Sequence, residues 1–192
     1  MTLSGYIRAR RSSATLLKAL ALALVFALIA AGGIALTRES SRIAALWLPN
    51  AILLAVILRS HRPTRFDYLV FCAIANVAAN YLIGDPLSTA LLLASINLAE
   101  VVAACLILRW LGAEMLDMGR LEHLGKLAFA GIVAPMFSGT LAAIALSGPD
   151  EFLSRAVWLS WVASDGLGLM IVTPVVMIGI DAWRAAGYAI DV

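Results

Sequence analysis

Little in this sequence is charged. Only 14% of its 192 residues are Asp, Glu, Lys or Arg, against 62% hydrophobic residues, and the mean hydropathy is +0.96. A soluble domain needs a polar surface around its core, and too few polar residues are present to cover one, so lipid must be the outer solvent. The small net charge of +2 and the lack of any basic stripe with interleaved aromatics exclude nucleic acid as a partner. Cysteine is scarce too. Cys72 and Cys105 sit far apart in apolar runs with no Cys-x-x-Cys or Cys/His spacing, which reads as two small buried hydrophobes. His61 and His123 fall on separate surface connections and read as solvated, not as metal or haem ligands. There is no Gly-rich phosphate loop, no Ser/His/Asp set and no helix-borne His pair. The reading is therefore of a chain that is not an enzyme, with no catalytic residue, no metal and no cofactor. The alternation that would suggest a β-barrel is missing as well.

What is present is a series of long apolar runs. A helix needs roughly 20 apolar residues to cross the hydrocarbon core. On that rule spans are expected at Thr15–Thr37, Ile43–Leu58, Phe66–Ile83, Ser88–Leu111, His123–Leu146 and Phe152–Ile180. Charges, Gly and Pro punctuate the intervals, as in Gly84-Asp85-Pro86 and Ser147-Gly148-Pro149-Asp150. The first run follows a basic segment and is too long for a secretory signal, so it reads as an uncleaved first helix. The second is short and contains Pro49, which suggests a tilted, kinked or partly re-entrant helix. The fold class is all-α: a polytopic transmembrane bundle of about six spans. Its expected organisation is a basic N-terminal segment (1–14), a helix bundle (15–180) and a tail or connector (181–192).

Orientation follows from the cations. With the N-terminus inside, Arg8, Arg10, Arg11, Lys18, Arg59, Arg62, Arg65, Arg109, Arg120, Lys126 and Arg184 all fall inside. Only Arg38, Arg42 and Arg155 fall outside, a clear positive-inside asymmetry that puts both termini in the cytoplasm of a bacterial inner membrane. Trp110 and Trp183 then mark inner helix ends, and Trp47 and Trp158 the outer interface.

Ionisable groups inside a membrane are expensive and usually face a protein interior or a wet cavity. Two stand out, Glu100 in the fourth span and Asp165 in the sixth, each about a dozen residues below the outer helix end and so near mid-membrane. No Lys, Arg or His lies at that depth to neutralise them. Asn97 shares a face with Glu100, Asn76 shares one with Asn80, and Asn50 follows Pro49. Trp158, Trp161, Asp165 and Gly168 draw one stripe along the last span. These residues suggest a polar pocket opening outward, with Glu100, Asp165, Asn97, Asn50, Asn76 and Trp161 as ligand-binding or protonation positions. The bland alternative is that the amides are packing glue worth around 0.6 kcal/mol each, and that Pro49 and Pro174 kink helices while Gly168 allows close contact.

Three stretches carry a resemblance: Leu46-Trp47-Leu48-Pro49-Asn50-Ala51, Asn97-Leu98-Ala99-Glu100 followed by an Ala-rich helix and Arg109, and Trp161-Val162-Ala163-Ser164-Asp165-Gly166-Leu167-Gly168 running on to Thr173-Pro174. Their order and spacing resemble the membrane-associated sensor domain of the first MASE type. The resemblance implies an integral-membrane input module for a histidine kinase or a cyclic-di-GMP enzyme. It marks Pro49, Asn97, Glu100, Asp165, Gly168 and Pro174 as positions to test. Asn50-Ala51 departs from the family pattern, where a glycine is expected nearby. The resemblance also implies a homodimer, because such outputs work in pairs, and an unidentified small-molecule or protein signal. A second reading is a substrate-capture subunit of a vitamin-type importer, since about six helices with an outer polar pocket fit that class too.

Overall fold

The structure is a computed structural model that describes residues 13–41, 47–113, 115–147 and 151–187. Every regular element in the described residues is helical. In chain order they are α1 (Ser13–Ser41), α2 (Pro49–Arg59), α3 (Arg62–Leu82), α4 (Leu87–Trp110), α5 (Leu121–Ser147) and α6 (Glu151–Leu167), then a π-helical turn (Gly168–Val172) and α7 (Thr173–Ala185). Among the described residues, four stretches are long and apolar enough to cross a membrane: Thr15–Ala35, Leu87–Trp110, Leu121–Ser147 and Ser154–Ala185. α3 is 21 residues long, with Arg62, Arg65 and Asp67 in its first turns. The chain is a multi-pass membrane protein, as its composition requires.

The second segment is the informative departure. A span over Ile43–Leu58 was expected, yet the helix begins only at Pro49 and has 11 residues, roughly 16 Å or about half a bilayer core. Residues 42–46 lie outside the described residues. Pro49 does not kink this helix; it starts it. Proline at the first helical position loses only an N–H that would have no intrahelical partner. α2 is nevertheless central: it packs against α1, α3, α4, the π turn and α7. Pro49, Asn50, Ala51, Leu53, Leu54, Ala55 and Ile57 are all buried, so almost its whole circumference faces protein.

Small residues let the other helices approach. α1 buries Ala19, Ala23, Phe26 and Ala30 against α3 while Leu17, Leu20, Leu24 and Leu28 face outward to lipid. α5 buries Ala130, Gly131, Ala134, Ser138, Gly139 and Ala142, and α6 lies close along that seam. A Cβ on Gly139 would meet the Val162 side chain at 3.1 Å, and one on Gly131 would meet Met170 at 2.9 Å. Pro135 adds to the closeness. It lacks the N–H that would bond the carbonyl four residues earlier, at Gly131. That carbonyl faces Gly166, where a Cβ would stand only 3.2 Å from it.

The last predicted span, Phe152–Ile180, runs from Glu151 to Ala185 but changes helical type on the way. Pro174 removes one N–H and crowds the carbonyl of residue 170, and the chain absorbs this with the wider π turn just before it. Trp47 needs a correction. It is 8% exposed and its carbonyl packs on Gly168, so it belongs to the core and not to the outer interface. The half-length of α2 is the reason, because it brings the start of that helix into the bundle.

Candidate functional site

Four helices converge on Glu100. From α2, Asn50 donates its amide to Glu100 Oε1 at 2.9 Å and to Asn97 Oδ1 at 3.1 Å. Asn97 and Glu100 lie one turn apart on α4, the spacing that puts both on one face. From α5, the Ser138 hydroxyl donates to Glu100 Oε2 and itself receives Trp161 Nε1 of α6 at 3.1 Å. Asp165, one turn beyond Trp161, brings its carboxyl within hydrogen-bonding reach of Glu100. Thr173, past the π turn, donates to the Ala51 carbonyl at 3.2 Å.

This cluster is closed. Glu100 is 0% exposed, Asn50 1%, Asp165 3% and Asn97 4%, so the expected outward-opening pocket is instead a polar core enclosed by protein. Trp47 and Pro49, at the start of α2, are buried among these helices. The N-terminal end of that helix, where peptide dipoles leave partial positive charge, lies at the cluster, since Asn50 in its first turn bonds Glu100. This is the arrangement by which broken membrane helices place a terminus at a polar site.

Hydrogen bonding inside the cluster is incomplete. Both carboxyls are acceptors when ionised, and Asp165 Oδ2 finds no donor; Asn50 Oδ1, Trp47 Nε1 and Ser164 Oγ are also buried without partners. A buried polar group left unpaired costs about 1–3 kcal/mol. A proton on either carboxyl would supply the donor the pair lacks, and a small hydrogen-bonding ligand would supply others. No group of three or more His, Cys, Asp and Glu that could hold a metal occurs among the described residues.

Of the residues marked in the sequence, Asn50, Asn97, Glu100, Trp161 and Asp165 are brought together. Asn76 is not hydrogen-bonded into this cluster: it is buried in α3, and its Oδ1 accepts from Asn80 Nδ2 at 2.7 Å. Gly168 takes the role of close contact, since any Cβ there would run into the backbone of Trp47. Ser138 was missed. A hydroxyl one turn after Pro135, beside Gly139 in an apolar span, is the signal that could have found it.

Away from the cluster, Arg59 at the end of α2 grips Asp181 of α7, with Nε to Oδ1 at 2.7 Å and Nη2 to Oδ2 at 2.5 Å. Arg184 Nη2 adds a bond to the Arg59 carbonyl at 2.9 Å. Sequence reading counted both arginines only as inner-face charges.

The bundle and its buried acid pair define a polytopic helical membrane protein with a polar core. The chain belongs to the MASE1 family, which it matches over residues 18–188. MASE1 is a membrane sensory input domain, and that assignment displaces the importer-subunit reading. The chain is 27% identical over 160 residues to the probable diguanylate cyclase DgcE of Escherichia coli (strain K12), an alignment covering 83% of this chain and 14% of that protein. No solved structure matches it.

Proposed function

We propose that this chain is the input part of a bacterial signalling protein, that the Glu100/Asp165 cluster is where the signal acts, and that α2 carries the change to α7. One observation carries this reading. The two ends of a single 11-residue helix hold the polar cluster, through Asn50, and the last helix, through Arg59 and Asp181. A ligand or proton that binds two helix arrangements unequally shifts their populations by that difference alone. A buried, rigid α2 would transmit such a shift lengthwise. The positive-inside count supports a cytoplasmic end for α7, where an output would follow. The relative that is a diguanylate cyclase supports a cyclic-di-GMP output, a histidine kinase being the other candidate, with pairing of outputs as the reason for a homodimer.

The test is a chimera with a diguanylate cyclase domain placed after Val192, assayed in vesicles. Glu100→Gln and Asp165→Asn should each change basal cyclase activity several-fold, and Arg59→Ala should abolish the response to Glu100→Gln. Unchanged activity in both acid variants, with protein correctly inserted, would overturn the reading.

A further inference from the structure

Glu100 and Asp165 lie within hydrogen-bonding reach of each other in a closed core, and the charge around them limits how many protons they hold. α2, α4, α5 and α6 build the cluster, and these two carboxyls are its titratable groups. α3, packed on α2 and α4, buries Asp67, Tyr68 and Cys72, none of which acts on either carboxyl. Among the described residues no Lys, Arg or His is buried, so no side-chain cation stands behind the pair. The start of α2 offers about half an elementary positive charge. That is too little to hold two desolvated carboxylates against their mutual repulsion. Two protonated acids fit no better, because both oxygens of Glu100 already accept a hydrogen. One proton remains.

Donor geometry decides which acid carries it. Glu100 Oε1 accepts from Asn50 at 2.9 Å, and Oε2 accepts from the Ser138 hydroxyl. That hydroxyl is oriented by Trp161 Nε1, which donates to its oxygen at 3.1 Å, and its other acceptor, the Pro135 carbonyl, is farther away at 3.3 Å. Asp165 is the opposite case. Its Oδ2 receives no donor, and the hydroxyl of neighbouring Ser164 is not bonded to it. A carboxyl ringed by donors is favoured as the anion, and one that faces an acceptor is favoured as the acid. We propose that Glu100 and Asp165 form a one-proton site, in which Asp165 carries the proton and donates it to Glu100, and Glu100 stays ionised beside the start of α2. Two like side chains thus take opposite roles because their surroundings differ. This deepens the reading above, on which its signalling meaning rests, by naming a proton as the occupant of the cluster. Its loss would leave carboxylates on α4 and α6 in contact, and their repulsion would act to part those helices.

The test is infrared spectroscopy of the full chain near neutral pH in a maltoside detergent, which has no ester carbonyl to mask the protonated-carboxyl region. The pair should give one protonated-carboxyl band that moves down in heavy water. In the unsubstituted protein, isotopic labelling of aspartate carboxyl carbons should shift this band and labelling of glutamate should not. Asp165→Asn should abolish it, because Glu100 then stands alone among its donors. Glu100→Gln should keep it, because Asp165 remains without a cation. Asp67→Asn, which changes the other buried acid among the described residues, should leave it in place. A band that shifts with glutamate labelling puts the proton on Glu100 and overturns the proposal. So does the absence of any such band in the unsubstituted protein, its survival in Asp165→Asn, or its loss in Asp67→Asn. The spectrum does not involve an output domain, so the two readings fail separately. A band that behaves as expected beside an output indifferent to both acids would support the proton site and count against the signalling role alone.

Discussion

At the scale of single residues, Glu100 is held by donors from two neighbouring helices, Asn50 and Ser138. That arrangement separates two substitutions that look alike on paper. Glu100→Gln keeps an oxygen for Asn50 and an amide that can donate to Ser138, so thermal unfolding in detergent should move by less than about 1 kcal/mol. Asn50→Asp removes the only side-chain donor Asn50 offers and adds a third carboxyl beside Glu100. It should cost about 1–3 kcal/mol or more. If both variants melt together, the Asn50 bonds are not a net source of stability. How much of this was legible depended on residue type. An acid at mid-membrane announces itself, because nothing bland explains it. Ser138 did not, because a serine in a helix commonly satisfies itself on a carbonyl of the preceding turn of its own backbone, as Ser95 does on the Leu91 carbonyl at 2.8 Å. Asn76 and Asn80 have the spacing that lets them bond to each other, which the sequence does not distinguish from a shared polar face.

At the scale of elements, the meeting of the Trp47 backbone with the π turn decides how α2 sits. Gly168→Ala would drive a methyl group into the Trp47 backbone, which cannot rotate aside, and overpacking of this kind costs typically 1–3 kcal/mol. Gly179→Ala is the matched control. It lies in α7 with nothing within 4 Å of its would-be Cβ, so it should be neutral or gain up to about 1 kcal/mol of helix propensity. Chemical unfolding of the two variants side by side checks the difference. The long helices were readable from their hydropathy to within a few residues at each end, α4 being expected at Ser88–Leu111 and found at Leu87–Trp110. α2 was not. An apolar run reports that residues avoid water, but it does not distinguish burial in lipid from burial among other helices. Pro49 held the missing information, since proline is a better helix start than helix middle.

At the scale of the whole molecule, the proposed orientation is open to direct measurement. With Cys72 and Cys105 replaced by alanine, Ser88→Cys should react with a membrane-impermeant maleimide added outside intact spheroplasts. Met115→Cys, 88% exposed on the connection after α4, should react only after lysis. The reverse labelling would turn the topology over and place α7 on the outer side, removing any route to a cytoplasmic output. Arg59 and Asp181 are joined across 122 residues of chain, and Asp181 is about half exposed, so the pair contributes at most about 1 kcal/mol of stability. Its importance is positional: it fixes the angular setting of α7 against α2.

That angular setting bears on the π turn. A π turn accommodates one residue more than an α-helix would over the same rise, and each α-helical residue corresponds to about 100° of rotation. The stretch Gly168–Val172 therefore stores a phase offset between α6, which carries Asp165, and α7, which carries Asp181. Relaxing it to regular α-helix would swing Asp181 away from Arg59 by about 100° and lengthen the stretch by about 1.5 Å. Under the function proposed above, that rotation with its small axial shift is what α7 would hand on.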